Sequence, residues 1–356
     1  FLRKILARKP ATFHIQIRYV AFDKTMKTLF NIFLFISILG CSSQKKDSLT
    51  PKKYMDEVFE IVETHSIRKD SIDFTQIKQL VYKKIRNIDS IEACYPLIES
   101  TLVELQDHHS FFMPKEEVVK WKSTSKTKTT NELITFNCKT LNKDIGYISM
   151  RGFSSGDSIS IQKYADSLQH EIKLIDNRNI KGWILDLREN TGGNCWPMLT
   201  GLGPLLGNGI CGYFIDNNGK KASWFYNNGE SGIDSSTIAR VSKKPYKLIN
   251  EQNSIAVLTS PRTGSSGEVV TTAFHNKKNT RSFGKSTAGL TTGNAQFKLS
   301  DGSAIFLTTS IYADRKGIMF GGKINPDETI DLPFISVGLH GDPIIKRATE
   351  WIYEQK

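Results

Sequence analysis

The run TGSSGE at residues 263–268 places two serine hydroxyls between glycines, after an apolar stretch and before an apolar helical pattern. A serine in such a turn can act as a nucleophile, and the amides that start the following helix favour negative charge developing beside it. A second turn holds Gly192 and Gly193, whose amides no side chain obstructs, so the two turns together fit acyl transfer. The GSSG run alone is equally compatible with phosphate binding or helix capping.

Other chemistries find less support in the composition. Neither the Gly-x-x-x-x-Gly-Lys-Ser/Thr pattern nor a strand-borne Gly-x-Gly-x-x-Gly occurs, so no nucleotide cofactor is expected. The five cysteines form no Cys-x-x-Cys pair, so we predict no metal site and expect buried thiols. Residues 1–40 carry seven of the 48 Lys/Arg residues and one of the 36 Asp/Glu residues, which is half of the formal net charge of +12. The scattered remainder gives no basis for nucleic-acid binding.

The amino-terminal region has the pattern of a bacterial lipoprotein signal. An apolar run at 29–39 is too short to cross a bilayer and has the length of a signal-peptide core, about 7–15 residues. The run ends in Gly40 and Cys41, which resembles a lipobox whose cysteine receives lipid. A buried strand or helix with a chance cysteine is the alternative. The predicted boundaries are a mis-assigned extension at 1–25, a signal peptide at 26–40 and a tether at 41–53.

The remaining chain changes its periodicity once. In the amino-terminal part of this region, apolar residues spaced three and four apart predict helices. Further along the chain, near-continuous apolar runs at 183–187 and 255–258 predict strands that are buried on both faces, within a sheet of an α/β core. Alternation around Asp301 and Gly302 predicts a β-hairpin. The predicted organisation is a small helical lobe at 54–110, a connector at 111–144 that is polar over residues 115–132, and the core at 145–356.

Five short runs follow one another along the chain: LQDHHS at 105–110, DLRENTGG at 186–193, SSGE at 265–268, GKSTAGLTTGN at 284–294 and NPD at 325–327. Taken together and in this order, they resemble the motifs of the tail-specific (C-terminal processing) and tricorn-core serine peptidases. The resemblance implies an α/β fold with a core like the crotonase and Clp-protease spiral. The stretch between Ser110 and Gly146 is too short for the PDZ module of the tail-specific branch, since domains span about 50–250 residues.

The resemblance implies a role for each residue of the two turns. Ser265 is the expected nucleophile, because Glu268 follows it at the spacing of the family's Ser-x-x-Glu motif. The amide of Ser266, with that of Gly192 or Gly193, is expected to form the oxyanion hole. Asp186 and Arg188, at a strand end, are interpreted as a structural pair.

The set of catalytic residues departs from each branch of the family at one position. The tail-specific branch uses a lysine where this chain has Leu290, so we predict His109, which aligns with the histidine base of the tricorn-like branch. The acidic third member of that branch corresponds to Phe320 here. We therefore name Asn294 as the side chain that orients the imidazole, and Glu268 as a second candidate, although Glu268 is equally explained as a first-turn acid favoured by the helix dipole.

The resemblance implies a serine peptidase that hydrolyses peptides or proteins of the bacterial cell envelope through an acyl-enzyme. It would be anchored to a membrane by lipid at Cys41 and need neither metal nor organic cofactor. Its oligomeric state is left open. The loss of the family lysine and acid supports an alternative, a catalytically inactive lipoprotein that binds peptides or envelope components.

Overall fold

The computed structural model describes residues 48–124, 135–331 and 341–355. The predicted signal peptide and Cys41 lie outside the described residues. Within the described residues, no helix is both long and apolar enough to cross a membrane. The α-helices are α1 Pro51–His65, α2 Phe74–Ile85, α3 Tyr95–Glu104, α4 Lys115–Thr124, α5 Ser158–Ile175, α6 Cys195–Gly201, α7 Gly203–Leu206, α8 Ser266–Phe274 and α9 Pro343–Glu354. The strands are β1 Phe111–Met113, β2 Phe136–Leu141, β3 Ile145–Met150, β4 Gly182–Asp186, β5 Gly209–Asp216, β6 Lys221–Asn227, β7 Glu230–Ile233, β8 Ser236–Arg240, β9 Ser254–Thr259, β10 Thr280–Gly284, β11 Thr292–Lys298, β12 Ala304–Asp314 and β13 Glu328–Thr329.

A six-stranded sheet forms the centre of the α/β core. Its order is β13-β10-β9-β4-β3-β2, and every pair is parallel except β2 with β3. Every residue of β4 and of β9 is buried. Leu185 and Val257 belong to the apolar core shared with α5, α6 and α8, whereas Ile184 and Ala256 pack with α9. The predicted α/β class, with strands covered on both faces, is confirmed.

The remaining seven strands form a second sheet, in which every pair is antiparallel. Its order is β1-β12-β5-β6-β7-β8, with β11 also paired to β12. The hairpin predicted at Asp301 and Gly302 joins β11 to β12 and is confirmed. Strands β5 to β8 were not predicted, because their buried positions do not alternate regularly and the pairing shifts near Ile210 and between Ser231 and Gly232.

The helical lobe packs directly on the second sheet. Tyr54 and Phe59 of α1 share one apolar core with Leu299, Ile305 and Leu307. The stretch predicted as a connector, 111–144, contains the regular elements β1, α4 and β2. Phe112 and Val118 supply buried apolar side chains within it, whereas Val119 and Trp121 are exposed. Residues 125–134 lie outside the described part of the chain.

Candidate active site

Three neighbouring parallel strands bring the candidate residues to one edge of the first sheet. Strands β3, β4 and β9 are adjacent, so their carboxyl ends lie side by side. The loop after β4 carries the two glycines and the loop after β9 carries Ser265. Ligands of open α/β sheets bind at this edge because the loops there converge. The sheet order thus brings together two turns that are far apart in sequence.

Ser265 occupies a strained turn at the start of α8. Its backbone has φ 50° and ψ −114°, a conformation that non-glycine residues rarely adopt and that recurs at functional sites. The side chain is half-buried, and the Tyr312 hydroxyl interacts with it. A Cβ atom at Gly192 would lie 2.9 Å from the Ser265 Cβ and 3.4 Å from its Oγ. Glycine at 192 therefore leaves room for the serine.

The structure distinguishes between the two glycine amides predicted for the oxyanion hole. The Gly192 N–H donates to the Asn190 Oδ1 at 3.1 Å, so it is already engaged. Gly193 is exposed, and among the described residues no acceptor bonds its N–H or that of Ser266. The Ser266 hydroxyl donates to the Gly193 carbonyl, which holds these two peptide groups next to each other. Gly193 and Ser266, rather than Gly192, therefore provide the available donor pair.

Asn190 links the two turns, although sequence reasoning assigned it no role. Its carbonyl accepts from the Gly264 N–H at 3.0 Å, directly before the serine. A Cβ atom at Gly267 would lie 2.5 Å from the same carbonyl, so glycine is needed there for the close approach. One residue thus fixes the glycine turn and the serine turn relative to each other. Its place in the DLRENTGG run was the signal available in the sequence.

A turn built on Asp107 positions His109. The Asp107 Oδ1 accepts from the backbone N–H groups of His109 at 2.9 Å and Ser110 at 2.7 Å. Gln106 and His108 on either side of the aspartate have positive φ values of 54° and 55°. The run LQDHHS therefore encodes a strained local turn that presents a half-buried imidazole.

Thr292, and not Asn294, is the side chain bonded to the imidazole. The His109 Nδ1 and the Thr292 Oγ1 are 2.7 Å apart. The Asn294 Nδ2 instead donates to the His109 backbone carbonyl at 2.8 Å, and its Oδ1 accepts from Thr308. The structure therefore does not give Asn294 the predicted orienting role, because its amide is bonded to main chain. Nothing in the sequence singled out Thr292.

Burial lowers the pKa of His109 from its usual value near 6.5, against the opposing influence of the Asp107 carboxylate and of the Thr292 backbone. The imidazole is therefore neutral at neutral pH, the form in which it can accept a proton. If the Nδ1 carries the hydrogen and donates it to Thr292, the Nε2 is left with a free lone pair. This is the tautomer that a general base requires.

Glu268 is buried and supports the serine turn rather than facing solvent. One carboxylate oxygen accepts from the Ser265 N–H at 2.9 Å. The other accepts from the Thr287 hydroxyl at 2.5 Å and from the Gly289 N–H at 2.9 Å. Burial raises the pKa of Glu268, and these hydrogen bonds partly offset that effect. The Glu268 carboxylate thus links the serine turn to the loop before β11 through hydrogen bonds.

The loop before β11 lies against the serine turn at one point and is followed directly by the residue that contacts His109. Leu290 lies beside the serine turn, where its Cδ1 would be 3.7 Å from a Cβ atom at Gly264. Two residues later Thr292 contacts His109, and two residues of extended chain span at most about 7 Å. The loop therefore brings the predicted nucleophile and the predicted base into one region, with Leu290 where the tail-specific branch has its lysine.

The Asp186–Arg188 interpretation as a structural pair agrees with the contacts. The Arg188 guanidinium donates to Asp186 through Nε at 2.9 Å and through Nη2 at 2.7 Å, and its Nη2 also donates to Asp342 at 2.7 Å. All three side chains are buried, and the Tyr147 hydroxyl donates to Asp186 at 2.8 Å. This network joins the first sheet to the start of α9.

Metal ligands and a reactive thiol are the other groups that could do chemistry among the described residues. In the described ranges, no group of histidine, cysteine and carboxylate side chains could hold a metal ion. Cys195 lies next to the serine turn, since its thiol contacts the Ser266 side chain. Burial raises the pKa of Cys195 to about 12, so its thiol is not ionised near neutral pH.

Comparison with known proteins identifies the class. The model of peptidase family S41 matches residues 144–330, more than half of the chain. The protein therefore belongs to peptidase family S41, a family of serine peptidases. This confirms the resemblance inferred from the five motifs.

Individual relatives are similar to different extents. The nisin-resistance protein of Lactococcus lactis subsp. lactis is 28% identical over 284 residues, which cover 78% of this chain and 83% of that protein. The carboxy-terminal processing protease CtpA of Bacillus subtilis (strain 168) is 27% identical over 191 residues, 53% of this chain but 36% of that protein. A lipoprotein from Streptococcus agalactiae has a similar structure, with a TM-score of 0.69 and 26% identity over 87% of this chain and 98% of that one. The photosystem II D1 C-terminal processing protease shares the fold, with a TM-score of 0.54 at 14% identity over 80% of this chain and 94% of that one.

Proposed function

We propose that this protein is an active serine peptidase in which Ser265 is the nucleophile and His109 the general base. The observation that carries the proposal is the strained Ser265 turn, beside which the amides of Gly193 and Ser266 have no partner among the described residues. Those amides are suited to hold the oxygen of a substrate carbonyl as it becomes negatively charged. Strained backbone of this kind clusters at active sites, which supports a catalytic role for the turn.

The reaction balances over two half-reactions, acylation and deacylation. In the first, His109 takes the Ser265 hydroxyl proton as the Oγ attacks the carbonyl carbon, and the C–N bond breaks as the proton passes to the leaving amine. In the second, His109 takes a proton from the water that attacks the Ser265 ester, and the ester C–O bond breaks as the proton returns to the Ser265 Oγ. Glu268, Asn190 and Thr292 act on these groups through hydrogen bonds, without touching the reacting atoms.

The proposed substrate is a peptide or protein of the bacterial cell envelope. The Lactococcus lactis relative is named for resistance to nisin and the Bacillus subtilis relative for carboxy-terminal processing. We propose that this chain acts on peptide chains, as the name of the Bacillus subtilis protease indicates for that protein, and that lipid at Cys41 holds it at a membrane. The lipobox-like sequence supports the anchor, as does the description of the Streptococcus agalactiae neighbour as a lipoprotein.

Two serine variants test the proposal. A fluorophosphonate probe should label wild-type protein at Ser265, and Ser265→Ala should lose both labelling and peptide hydrolysis because no acyl-enzyme can form. Ser266→Ala is the comparison, since alanine keeps the backbone amide that the mechanism uses but loses the hydroxyl that bonds the Gly193 carbonyl, so this variant should still be labelled and retain measurable, reduced hydrolysis. Activity lost in Ser266→Ala and kept in Ser265→Ala would move the nucleophile by one residue.

The alternative is an inactive protein of this fold that binds peptides. It is favoured by one contact, because the imidazole of His109 is bonded to a neutral threonine and not to a carboxylate. A wild-type protein that binds peptides but is neither labelled by the probe nor able to cleave them would establish this alternative.

A further inference from the structure

A cavity of about 630 Å³ opens beside the proposed oxyanion donors. Its lining includes Thr191, Gly192 and Gly193 of the glycine turn, together with Arg151, Glu189 and Arg262. These three charged residues follow the adjacent strands β3, β4 and β9, respectively. The cavity therefore lies where a substrate held by the Gly193 amide would extend along the sheet edge.

The charges of this cavity do not balance. Arg262 and Glu189 form an ion pair, with Nη2 and Oε2 3.3 Å apart. The Arg151 guanidinium is exposed, and within the described ranges no carboxylate pairs with it. Its backbone is fixed, because the Arg151 N–H donates to the Thr135 carbonyl at 2.7 Å and its carbonyl accepts from the Thr135 hydroxyl. The backbone that carries this positive charge is thus held in place, and among the described residues the charge has no carboxylate partner.

The neighbouring cavity reinforces this charge. It shares Arg151 and Glu189 with the first and adds Lys139 and Asp186. The Asp186 carboxylate is already bonded by Arg188, and Lys139 lies over the Tyr147 ring. The carboxylates of both cavities therefore have cationic partners, whereas the side chains of Arg151 and Lys139 pair with no carboxylate in the part of the chain that the structure describes.

We propose that the Arg151 cavity is a substrate subsite that binds a carboxylate next to the scissile bond. The inference rests on the proposed function, because the Gly193 amide that shares the cavity is taken as an oxyanion donor. A planar guanidinium binds carboxylate oxygens through two parallel hydrogen bonds, so arginine suits this ligand better than lysine does. An acidic side chain and the carboxyl terminus of a peptide present the same group, and both are within the chemistry of the site.

Binding to the Ser265→Ala protein tests the subsite independently of turnover. Fluorescent peptides are compared in pairs that differ only by Glu or Gln at successive positions, and in pairs with a free or an amidated carboxyl terminus. We expect one acidic member to bind about 10- to 100-fold more tightly than its neutral partner, the range for a charge-assisted hydrogen bond. A preference in the first set identifies a side-chain carboxylate and one in the second identifies the chain terminus.

Substitution at position 151 gives the second arm. Arg151→Gln should abolish the preference for the acidic peptide, and Arg151→Glu should reverse it in favour of a Lys-containing peptide. Arg178→Gln is the control, because Arg178 is also exposed but precedes β4 at the opposite edge of the sheet. The subsite proposal is overturned if all peptide pairs bind equally to Ser265→Ala protein, or if Arg151→Gln keeps the preference. A wild-type protein that does not cleave peptides, together with an intact preference in the Ser265→Ala protein, would contradict the peptidase mechanism and leave the subsite supported.

Discussion

Replacing Thr292 with valine removes the hydroxyl that bonds the His109 imidazole and keeps a β-branched side chain in strand β11. The Nδ1 to Oγ1 distance of 2.7 Å indicates a well-formed hydrogen bond. If His109 is the base, this bond holds the ring in the orientation and tautomer that direct the Nε2 towards Ser265. The variant therefore tests how the ring is positioned without removing a reacting group.

The magnitude follows from the burial of the ring. Leaving a buried polar group without its partner costs about 1–3 kcal/mol. At about 1.4 kcal/mol for each tenfold change in rate, the full effect is about 5- to 150-fold. The Thr292 backbone also interacts with the imidazole and remains in the variant, so we expect the lower part of that range. The loss should fall on kcat and not on KM, because the proton is transferred after the substrate binds.

The assay is steady-state hydrolysis of a fluorogenic peptide whose cleavage depends on Ser265. Thr292→Ser is the matched control, since serine restores the hydroxyl, and it should recover most of the activity lost in Thr292→Val. Thermal unfolding of both variants identifies any general loss of structure. Wild-type kcat in Thr292→Val, or an equal loss in both variants, would refute the positioning role.

Four further predictions test other parts of the structure. Burial lowers the pKa of His109 and the neutral ring is the base, so kcat/KM should rise with pH through a midpoint below about 6.5. His109→Ala should remove this rise and reduce the rate at least ~100-fold, and a midpoint above pH 7 would contradict the assignment. Glu268→Gln should lower both Tm and kcat, since an amide NH2 would face N–H and O–H donors, and an unchanged Tm would argue against the buried network. Arg188→Met should reduce the free energy of unfolding, measured in urea, by about 3–5 kcal/mol, because two buried carboxylates lose their cationic partner. The folded variant should still be labelled at Ser265, and a stability equal to that of wild type would show that the network contributes little. Cys41→Ala, expressed in a bacterium with lipoprotein machinery, should leave the membrane fraction or remain unprocessed; identical fractionation without lipid on either protein would exclude the lipobox.

The local sequence determined the elements and several of the candidate residues. Continuous apolar runs gave strands β4 and β9, whose burial on both faces needs no information beyond hydrophobicity. The serine turn was visible because glycines, hydroxyls and a helical pattern follow one another within a few residues. Strands β5 to β8 escaped prediction because their exposure depends on irregular pairing with neighbours that are distant in sequence.

The tertiary structure decided which neighbours act on these residues. Gly192 and Gly193 are indistinguishable as sequence, and only the bond from Gly192 to Asn190 leaves Gly193 as the available donor. Thr292 and Asn294 point to the same face of a strand, about 7 Å apart, and both reach the segment containing His109. Which of the two side chains bonds to the imidazole depends on the position, relative to strand β11, at which the Asp107 turn holds the ring. That position is set by contacts between residues 183 apart in the chain, and no local pattern encodes a distance of that kind.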